Sequence, residues 1–326
     1  MRTEPLFDIA QLGHLEIYSP KLEESVKFFH EILGMTVVHE DGKSVYMRAY
    51  EDIYHNTLKI TAHDDAGVAH IGFRTTSENA LHRRIEELER DGHSGKWNEG
   101  DIGHGPGYEF KIPGGHNIEI YWETDYYEAP EDQKTPLLNR PQKKPNIGVP
   151  VRRLDHVNIL AKGTRKNSVF LDDYLGFNVR ERVIADDNND IAAWLSVTNL
   201  AHDIAIMEDP SEEEGRLHHI CYWYGYQQNL TDVADLLLER GYELETGPLK
   251  HGVSQAACLY VFEPGGNRVE LFGDAGYLIF DPEWKTVEWK GEDLQNAVVW
   301  HGSELPENFF SRGTPEQPST VEVPNN

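Results

Sequence analysis

Hydrophobic and polar positions along the chain follow a pattern that occurs twice. Each half opens with alternating apolar and polar residues, LGHLEIYSP at 12–20 and LDHVNILAK at 154–162, which is typical of a strand with one buried face. A helix-like stretch follows in each half, LEESVKFFHEILGM or KNSVFLDDYLGF. Further strand-like segments come next, SVYMRAY and TLKITA in the first half and IAAWLSV and HDIAIME in the second. The pattern therefore predicts the same elements at the start of both halves.

The spacing of key residues indicates that the second half duplicates the first. A glycine stands 20 residues after His14 and 20 residues after His156, and another stands 22 residues after His70 and 22 after His219. Both halves then end on a strand, a Pro-Gly-Gly turn and a strand with a central glutamate, in EFKIPGGHNIEIYWE and YVFEPGGNRVELFG. We therefore expect an α+β fold of four βαβββ modules, paired into two domains that are each an open, barrel-like mixed sheet.

The connection between the halves, YYEAPEDQKTPLLNRPQKKPNIGVP, is rich in Pro, Lys and Asn and suits an extended linker. We predict a non-catalytic N-terminal module pair over residues 1–147 and a catalytic, metal-binding pair over 148–302. The second pair includes a covering segment, GYLIFDPEWKTVEWKGEDLQNAVVWHG, that has no counterpart in the first half. Residues 303–326 are rich in Pro and Glu and predict a mobile tail.

Composition narrows the range of partners. The chain has 56 acidic and 30 basic residues, a formal net charge of −26, so it would repel a phosphate backbone or an anionic membrane surface. No window approaches the 18 or so consecutive apolar residues of a membrane-spanning helix. The N-terminal residues MRTEPLFDIAQLG also lack the apolar stretch of a signal peptide. We therefore expect a cytoplasmic protein that binds neither nucleic acid nor membrane.

Three residues of the second half form a candidate metal site. His156, His219 and Glu270 are separated by 63 and 51 residues, and each lies on a predicted strand. Two imidazoles and one carboxylate on one face of an ion leave adjacent positions open, as in non-haem Fe(II) oxygenases. A glutamate between Val269 and Leu271 in a closing strand also needs a cation to offset the cost of its burial.

The first half carries an analogous set, namely His14, His70 and Glu119. Any one histidine in a strand is more often a hydrogen-bonded core residue than a ligand. By ligand type and spacing alone, either half, or both halves, could bind a metal.

The neighbouring residues distinguish the two halves. Ten residues before the glutamate stands Tyr260 in the second half but Glu109 in the first, and two residues after the first histidine stands Asn158 but Glu16. The second half also has His251, which has no matching histidine at its aligned place in the first half. A phenol, an amide and an extra imidazole can carry protons and bond a polar substrate. We therefore expect one metal per chain, in the C-terminal half.

The run KHGVSQAACLYVFEPGGNRVELF, together with LDHVN, AAWLS, AHDIAI, LHHI and GYLIFDPEW, resembles the type I extradiol dioxygenases of the vicinal oxygen chelate superfamily. The resemblance covers about residues 10–302. It implies that His156, His219 and Glu270 bind Fe(II), or more rarely Mn(II). It also implies that the chain uses O₂ to open a catechol ring next to the diol, and that it assembles as a homotetramer.

The same resemblance assigns roles to five further residues. It implies that His202 acts catalytically beside O₂, and that His251 and Tyr260 act catalytically by bonding the substrate oxygens. It implies that Asn158 and Trp194 bind the substrate as part of the pocket wall.

Substrate choice and two other interpretations remain open at this point. Enzymes that take carboxylated catechols are expected to place arginines where this chain has Thr246 and Asn296. That difference favours plain or alkyl-substituted catechol, with 2,3-dihydroxybiphenyl or another substituted catechol as the alternative. The other interpretations are a different metal enzyme of the superfamily, such as a glyoxalase, and a non-catalytic binding protein on the same fold.

Overall fold

The first half of the chain folds into two successive modules, each with one strand, one helix and three strands. The computed structural model describes residues 6–185 and 189–317. The first module contains β1 (Ile9–Ser19), α1 (Leu22–Glu31), β2 (Thr36–Glu40), β3 (Ser44–Arg48) and β4 (Leu58–Ala62). The second contains β5 (Gly67–Thr75), α2 (Glu78–Arg90), β6 (Lys96–Trp97), β7 (Gly107–Lys111) and β8 (Asn117–Tyr121). The eight strands form one mixed sheet in the order β2-β3-β4-β1-β5-β8-β7-β6.

The second half repeats this arrangement and adds two short edge strands. Its first module contains β9 (Arg153–Ala161), α3 (Thr164–Phe170) with a π-helical turn (Leu171–Leu175), β10 (Asn178–Ile184), β11 (Asp190–Ser196) and β12 (Ile204–Glu208). Its second contains β13 (Arg216–Trp223), α4 (Gln228–Glu239), β14 (Leu244–Lys250), β15 (Ala257–Phe262) and β16 (Arg268–Phe272). The covering segment supplies β17 (Val287–Lys290), a 3₁₀ turn (Gly291–Asp293), α5 (Leu294–Val298) and β18 (His301–Gly302).

The ten strands of the second sheet follow the order β17-β10-β11-β12-β9-β13-β16-β15-β14-β18. In both sheets the first strand of one module pairs antiparallel with the first strand of the next, through β1 with β5 and β9 with β13. That central pair is flanked by parallel pairs, β5 with β8 and β13 with β16. The predicted α+β fold of four βαβββ modules in two mixed sheets is therefore confirmed.

The two halves pack against each other over a shared hydrophobic core. The rings of Phe73 and Phe177, one from each half, meet edge to face with centroids 5.2 Å apart. Polar contacts also cross the boundary, because the His116 ring bonds the Arg216 carbonyl at 2.8 Å. Apolar packing and hydrogen bonds therefore both hold the two halves together.

The segment after the covering region packs on the C-terminal half as far as it is described. Leu217 and Thr314 exchange two backbone hydrogen bonds of 2.8 Å, and Phe309 is only 1% exposed. The sequence predicted a mobile tail from residue 303 because that segment is rich in Pro and Glu. In its described part, however, Phe309 is buried against His218 of β13. Residues 318–326 of that predicted tail lie outside the described residues. Along the described chain, no helix is long and apolar enough to cross a membrane.

Candidate metal centre

Three ligand-type side chains converge on adjacent strands of the second sheet. His156 lies on β9, His219 on β13 and Glu270 on β16. The His156 Nε2 atom lies 3.0 Å from Glu270 Oε2 and 3.3 Å from His219 Nε2, and His219 Nε2 lies 2.9 Å from Glu270 Oε2. Ligand atoms bound at about 2.1 Å and at right angles are about 3 Å apart. The three atoms therefore fit one face of a single metal ion.

Hydrogen bonds behind the histidines turn both Nε2 lone pairs toward the centre. His156 Nδ1 lies 2.9 Å from Asp155 Oδ1, so its Nδ1–H donates to that carboxylate. His218 Nε2 lies 2.9 Å from the Phe309 carbonyl oxygen, which can only accept, so His218 donates there. His218 Nδ1 then accepts from His219 Nδ1–H at 2.7 Å. In both histidines the outer nitrogen donates a hydrogen bond, and Nε2 faces the centre, where a metal could replace any proton on it.

The charges within the cluster are strongly coupled. Burial opposes a charge on His156, but hydrogen bonds to Asp155 and Glu270 outweigh it and raise the pKa of His156 to about 9. Burial lowers the pKa of His219 to about 4. Burial would raise the pKa of Glu270, yet the neighbouring imidazoles of His219 and His156 hold it well below its usual value. Glu270 is therefore ionised. A metal that binds here would replace the proton that His156 otherwise holds at neutral pH.

Tyr260 and His251 border the Glu270 carboxylate on the side away from His156 and His219. The Tyr260 hydroxyl donates to Glu270 Oε1 at 2.6 Å. His251 Nε2 lies 2.9 Å from the Tyr260 hydroxyl and 3.2 Å from Glu270 Oε1, while its Nδ1 bonds the Val298 carbonyl. Burial, followed by the charge of Glu270, raises the pKa of Tyr260 well above its usual value. A phenol and an imidazole thus stand ready to exchange protons with a bound diol.

His202 and Asn158 present unpaired polar atoms at the same place. The His202 ring centroid lies 4.0 Å from that of His156. Among the described residues, neither His202 Nδ1 nor Asn158 Oδ1 has a hydrogen-bond partner, although both atoms are buried. Burial, and next the charge of His156, lowers the pKa of His202 well below its usual value, so the ring is neutral. Buried polar atoms of this kind call for a ligand or water.

One cavity joins these groups. It is lined by all eight residues that the sequence predicted for the site: His156, Asn158, Trp194, His202, His219, His251, Tyr260 and Glu270. Five apolar residues that sequence reasoning missed complete the wall: Met207, Val253, Phe272, Val298 and Phe309.

Two positions that the sequence analysis used to infer substrate choice do not line the cavity. Thr246, where an arginine was expected in enzymes of carboxylated catechols, bonds the Glu304 carbonyl at 2.6 Å and does not line the cavity. Asn296 is also absent from the lining, although Val298 two residues later belongs to it. Sequence reasoning also missed Asp155 and His218 as hydrogen-bond partners of His156 and His219, although each directly precedes its histidine in the chain.

The fold and this centre belong to a known class of proteins, as comparison with known proteins shows. A family model described as the Glyoxalase/Bleomycin resistance protein/Dioxygenase superfamily matches residues 11–120 and 153–271, and the chain belongs to that superfamily. Within the superfamily it belongs with the extradiol dioxygenases.

The relatives share nearly the whole length of the chain. It is 53% identical over 322 residues to the metapyrocatechase of Geobacillus stearothermophilus, with 98% of each protein covered. It is 39% identical over 305 residues to the manganese-dependent 2,3-dihydroxybiphenyl 1,2-dioxygenase of Geobacillus genomosp. 3, covering 91% of this chain and 95% of the relative. Among solved structures, homoprotocatechuate 2,3-dioxygenase from Arthrobacter globiformis matches with a TM-score of 0.84 and 25% identity, covering 96% of this chain and 94% of that one.

Proposed function

We propose that this protein is a catechol 2,3-dioxygenase that inserts both atoms of O₂ into catechol next to its diol. The product would be 2-hydroxymuconate semialdehyde, which has the summed composition of catechol and O₂. The observation that carries the proposal is the convergence of His156, His219 and Glu270 beside a buried phenol and imidazole, Tyr260 and His251.

We assign the three converging residues as the metal ligands and Fe(II) as the metal. Two neutral imidazoles and one carboxylate on a single face are the donor set of non-haem Fe(II) oxygenases. When bound, Fe(II) supplies Lewis acidity and a path for electrons between an aromatic diol and O₂. Mn(II) accepts the same donors, and a relative named as manganese-dependent is 39% identical, so metal analysis has to include both.

Tyr260 and His251 handle the protons of the diol in this proposal. Their hydrogen-bonded pair lies on Glu270 Oε1, the carboxylate oxygen that does not face the histidine ligands. A diol entering the cavity must lose a proton to bind strongly as an anion, and a phenol–imidazole pair can receive it and later return it. Burial keeps the Tyr260 hydroxyl protonated in the absence of substrate, so it is also a hydrogen-bond donor to an anionic substrate oxygen.

His202 and Asn158 contribute further polar groups to the centre in this proposal. The neutral His202 ring lies 4.0 Å from the His156 ring, tilted by 53°, and its unpaired Nδ1 can hold a proton or deliver one to reacting oxygen. Asn158 offers an amide to orient the substrate, and the indole of Trp194 forms an apolar wall. The enclosed site also keeps bulk water away from the reacting atoms.

The residues that line the cavity support an uncharged ring substrate. No arginine or lysine belongs to the cavity lining in the described part of the chain. A ring carboxylate would therefore be buried without a cation, which is costly. Catechol is the better candidate, with 2,3-dihydroxybiphenyl or another substituted catechol as the alternative.

The test is anaerobic loading with Fe(II), followed by catechol and then air. We expect a yellow product and one O₂ consumed for each catechol. Glu270→Gln should abolish both signals, while Glu119→Gln, the same change at the repeat-equivalent position, should not. Absence of product and of O₂ uptake from protein with bound Fe(II) would overturn the proposal. Parallel loading with Mn(II), and kcat/KM values for catechol, methylcatechols and dihydroxybiphenyl, identify the metal and the substrate.

We also propose that the protein is cytoplasmic and a homotetramer, both in keeping with the resemblance to extradiol dioxygenases. Light scattering of the metal-loaded protein after size-exclusion chromatography tests the oligomeric state. A mass other than four chains would contradict it.

A further inference from the structure

A second group of ligand-type side chains lies in the N-terminal half. His14 Nε2 lies 3.0 Å from His70 Nε2 and 3.1 Å from Glu119 Oε2, and the last two atoms are 3.9 Å apart. The three residues stand on β1, β5 and β8, which are neighbours in the first sheet. Their separations also suit atoms bound at about 2.1 Å to one ion.

The glutamate of this group has one oxygen in hydrogen bonds and one without. Asn98 donates to Glu119 Oε1 at 2.6 Å. Glu119 Oε2 faces the histidines, and among the described residues it has no hydrogen-bond partner, although His14 Nε2 lies nearby. The residue is only 1% exposed. Burial opposes its ionisation, but His14 and the other histidines hold the pKa of Glu119 well below its usual value. A buried anionic oxygen without a donor is costly unless a cation offsets it.

Outer partners orient the second histidine toward that oxygen. His70 Nδ1 lies 3.3 Å from Glu16 Oε2, so Nδ1–H points to the carboxylate and the Nε2 lone pair points inward. Glu16 is itself held by Lys59, whose Nζ lies 3.5 Å from Oε1, and by the Thr61 hydroxyl at 2.5 Å. Carboxylate–histidine pairs of this kind fix the tautomer of metal-ligating imidazoles.

His104 brings a third imidazole to the group. Its Nδ1 lies 2.8 Å from the Gly105 carbonyl oxygen and must donate there, which leaves Nε2 free. Its Nε2 lies 3.7 Å from Glu119 Oε2, and its ring stacks on His14 with centroids 4.7 Å apart. The residue lies between β6 and β7, so a loop rather than a sheet strand delivers it.

We propose that the N-terminal half binds a second divalent metal ion of the Zn(II) type through His14, His70 and Glu119. Two imidazoles and one carboxylate are a ligand set that Zn(II) takes in proteins, with water in the fourth position. Imidazole-rich sites suit Zn(II) among the common divalent ions.

The register of the two sheets explains why this site differs from the C-terminal one. Glu16 lies opposite His70, as Asn158 lies opposite His219. Glu109 likewise lies opposite Glu119, where the second sheet places Tyr260 opposite its glutamate. The positions that carry an amide and a phenol in the C-terminal half therefore carry carboxylates here. Carboxylates strengthen cation binding but repel an anionic diol, so the site holds metal without ring chemistry.

Metal counting on full-length protein tests the proposal. Chelator-treated Glu270→Gln, in which the C-terminal site is disabled, is titrated with Co(II) as a spectroscopic substitute for Zn(II). We expect it to bind one equivalent, with the intense visible absorption of a four-coordinate ion, and Glu119→Gln/Glu270→Gln to bind none. Wild type should bind two equivalents. Failure of Glu270→Gln to bind Co(II) would overturn the second site.

Further variants separate the ligands from the scaffold. Glu119→Gln alone should lose one equivalent of metal and keep ring-cleavage activity. If Glu119→Gln does not fold, His70→Gln replaces it, with the same expected loss. An unchanged metal content in the folded variant would refute the proposal, and that result is independent of the activity assay.

Discussion

His218 Nδ1 lies 2.7 Å from His219 Nδ1, and the far side of the His218 ring bonds the Phe309 carbonyl at 2.9 Å. The orientation of a proposed metal ligand therefore depends on a backbone carbonyl that lies much later in the chain. A neutral His218 is required for this chain of hydrogen bonds, and burial, followed by the charge of Arg268, lowers the pKa of His218 well below its usual value.

Replacing His218 should weaken metal binding without removing a ligand. His218→Ala deletes the acceptor of the His219 Nδ1–H bond, and loss of such an outer partner typically costs about 10- to 100-fold in metal affinity. Anaerobic competition with a chromophoric chelator measures the affinity. His82→Ala, at an exposed histidine, is the control and should bind metal as wild type does. Wild-type affinity in His218→Ala would show that the pair has no orienting role.

Removing the Tyr260 hydroxyl should slow catalysis while the metal stays bound. In Tyr260→Phe we expect kcat to fall by about 100-fold, which is typical of a lost proton-transfer group. Tyr222→Phe is the matched control, because the Tyr222 hydroxyl is buried and has no hydrogen-bond partner among the described residues. Turnover and metal content are measured on the same samples. Loss of metal with unchanged turnover per metal would make Tyr260 a structural residue instead.

Replacing Phe309 should destabilise the protein more than replacing its neighbour Phe310. Its ring lies 5.0 Å from the rings of both His218 and Tyr260, and it is almost fully buried. Phe309→Ala should cost about 3–5 kcal/mol, as core Phe truncations do, and raise KM by opening the cavity wall. Phe310→Ala, at a partly exposed ring, should cost less. Thermal unfolding and steady-state kinetics compare the two, and equal effects would contradict this role.

Acid should lower the free energy of unfolding of the protein, in part through His116. Burial lowers the pKa of His116 to about 4, against the hydrogen bond to the Arg216 carbonyl, while 6.5 is the ordinary value. The unfolded chain therefore binds the proton first, and the stability due to neutral His116 is lost as pH falls from about 6.5 to about 4. That loss amounts to about 3 kcal/mol.

His116→Gln removes this titration, so the difference in unfolding free energy between wild type and variant should shrink as pH falls. Denaturant unfolding at pH 7 and pH 5 measures it. His63→Gln, at an exposed histidine, should leave the pH dependence of wild type unchanged. A constant difference between wild type and His116→Gln would contradict the assignment.

The fold was predictable because the repeat is visible in local sequence patterns. Glycines at matching distances and the paired Pro-Gly-Gly hairpins predicted four modules, and alignment of the modules brought His156, His219 and Glu270 to neighbouring strands. The packing of Phe309 was not predictable, since a few apolar residues in a Pro- and Glu-rich segment give no periodic signal. His104 was missed for a related reason, because a loop delivers it to its site and the repeat offers no equivalent histidine.

The two carboxylates that distinguished the first half from the second have partners in the structure. Glu16 orients His70, and Glu109 shares the Asn98 amide with Glu119. The expectation of one metal per chain rested on reading these residues as missing proton donors. It stays a prediction, and the second site that we propose is its direct alternative.

The matching register of the two sheets has a consequence for protein engineering. Positions 16 and 158, like positions 109 and 260, face equivalent partners on strands with the same pairing. Each of these positions in one half therefore has a counterpart in the other, which makes it a rational place to exchange a side chain between the halves. Because of the duplication, residues of the N-terminal site can be changed to seek a new activity without replacing any residue of the C-terminal site.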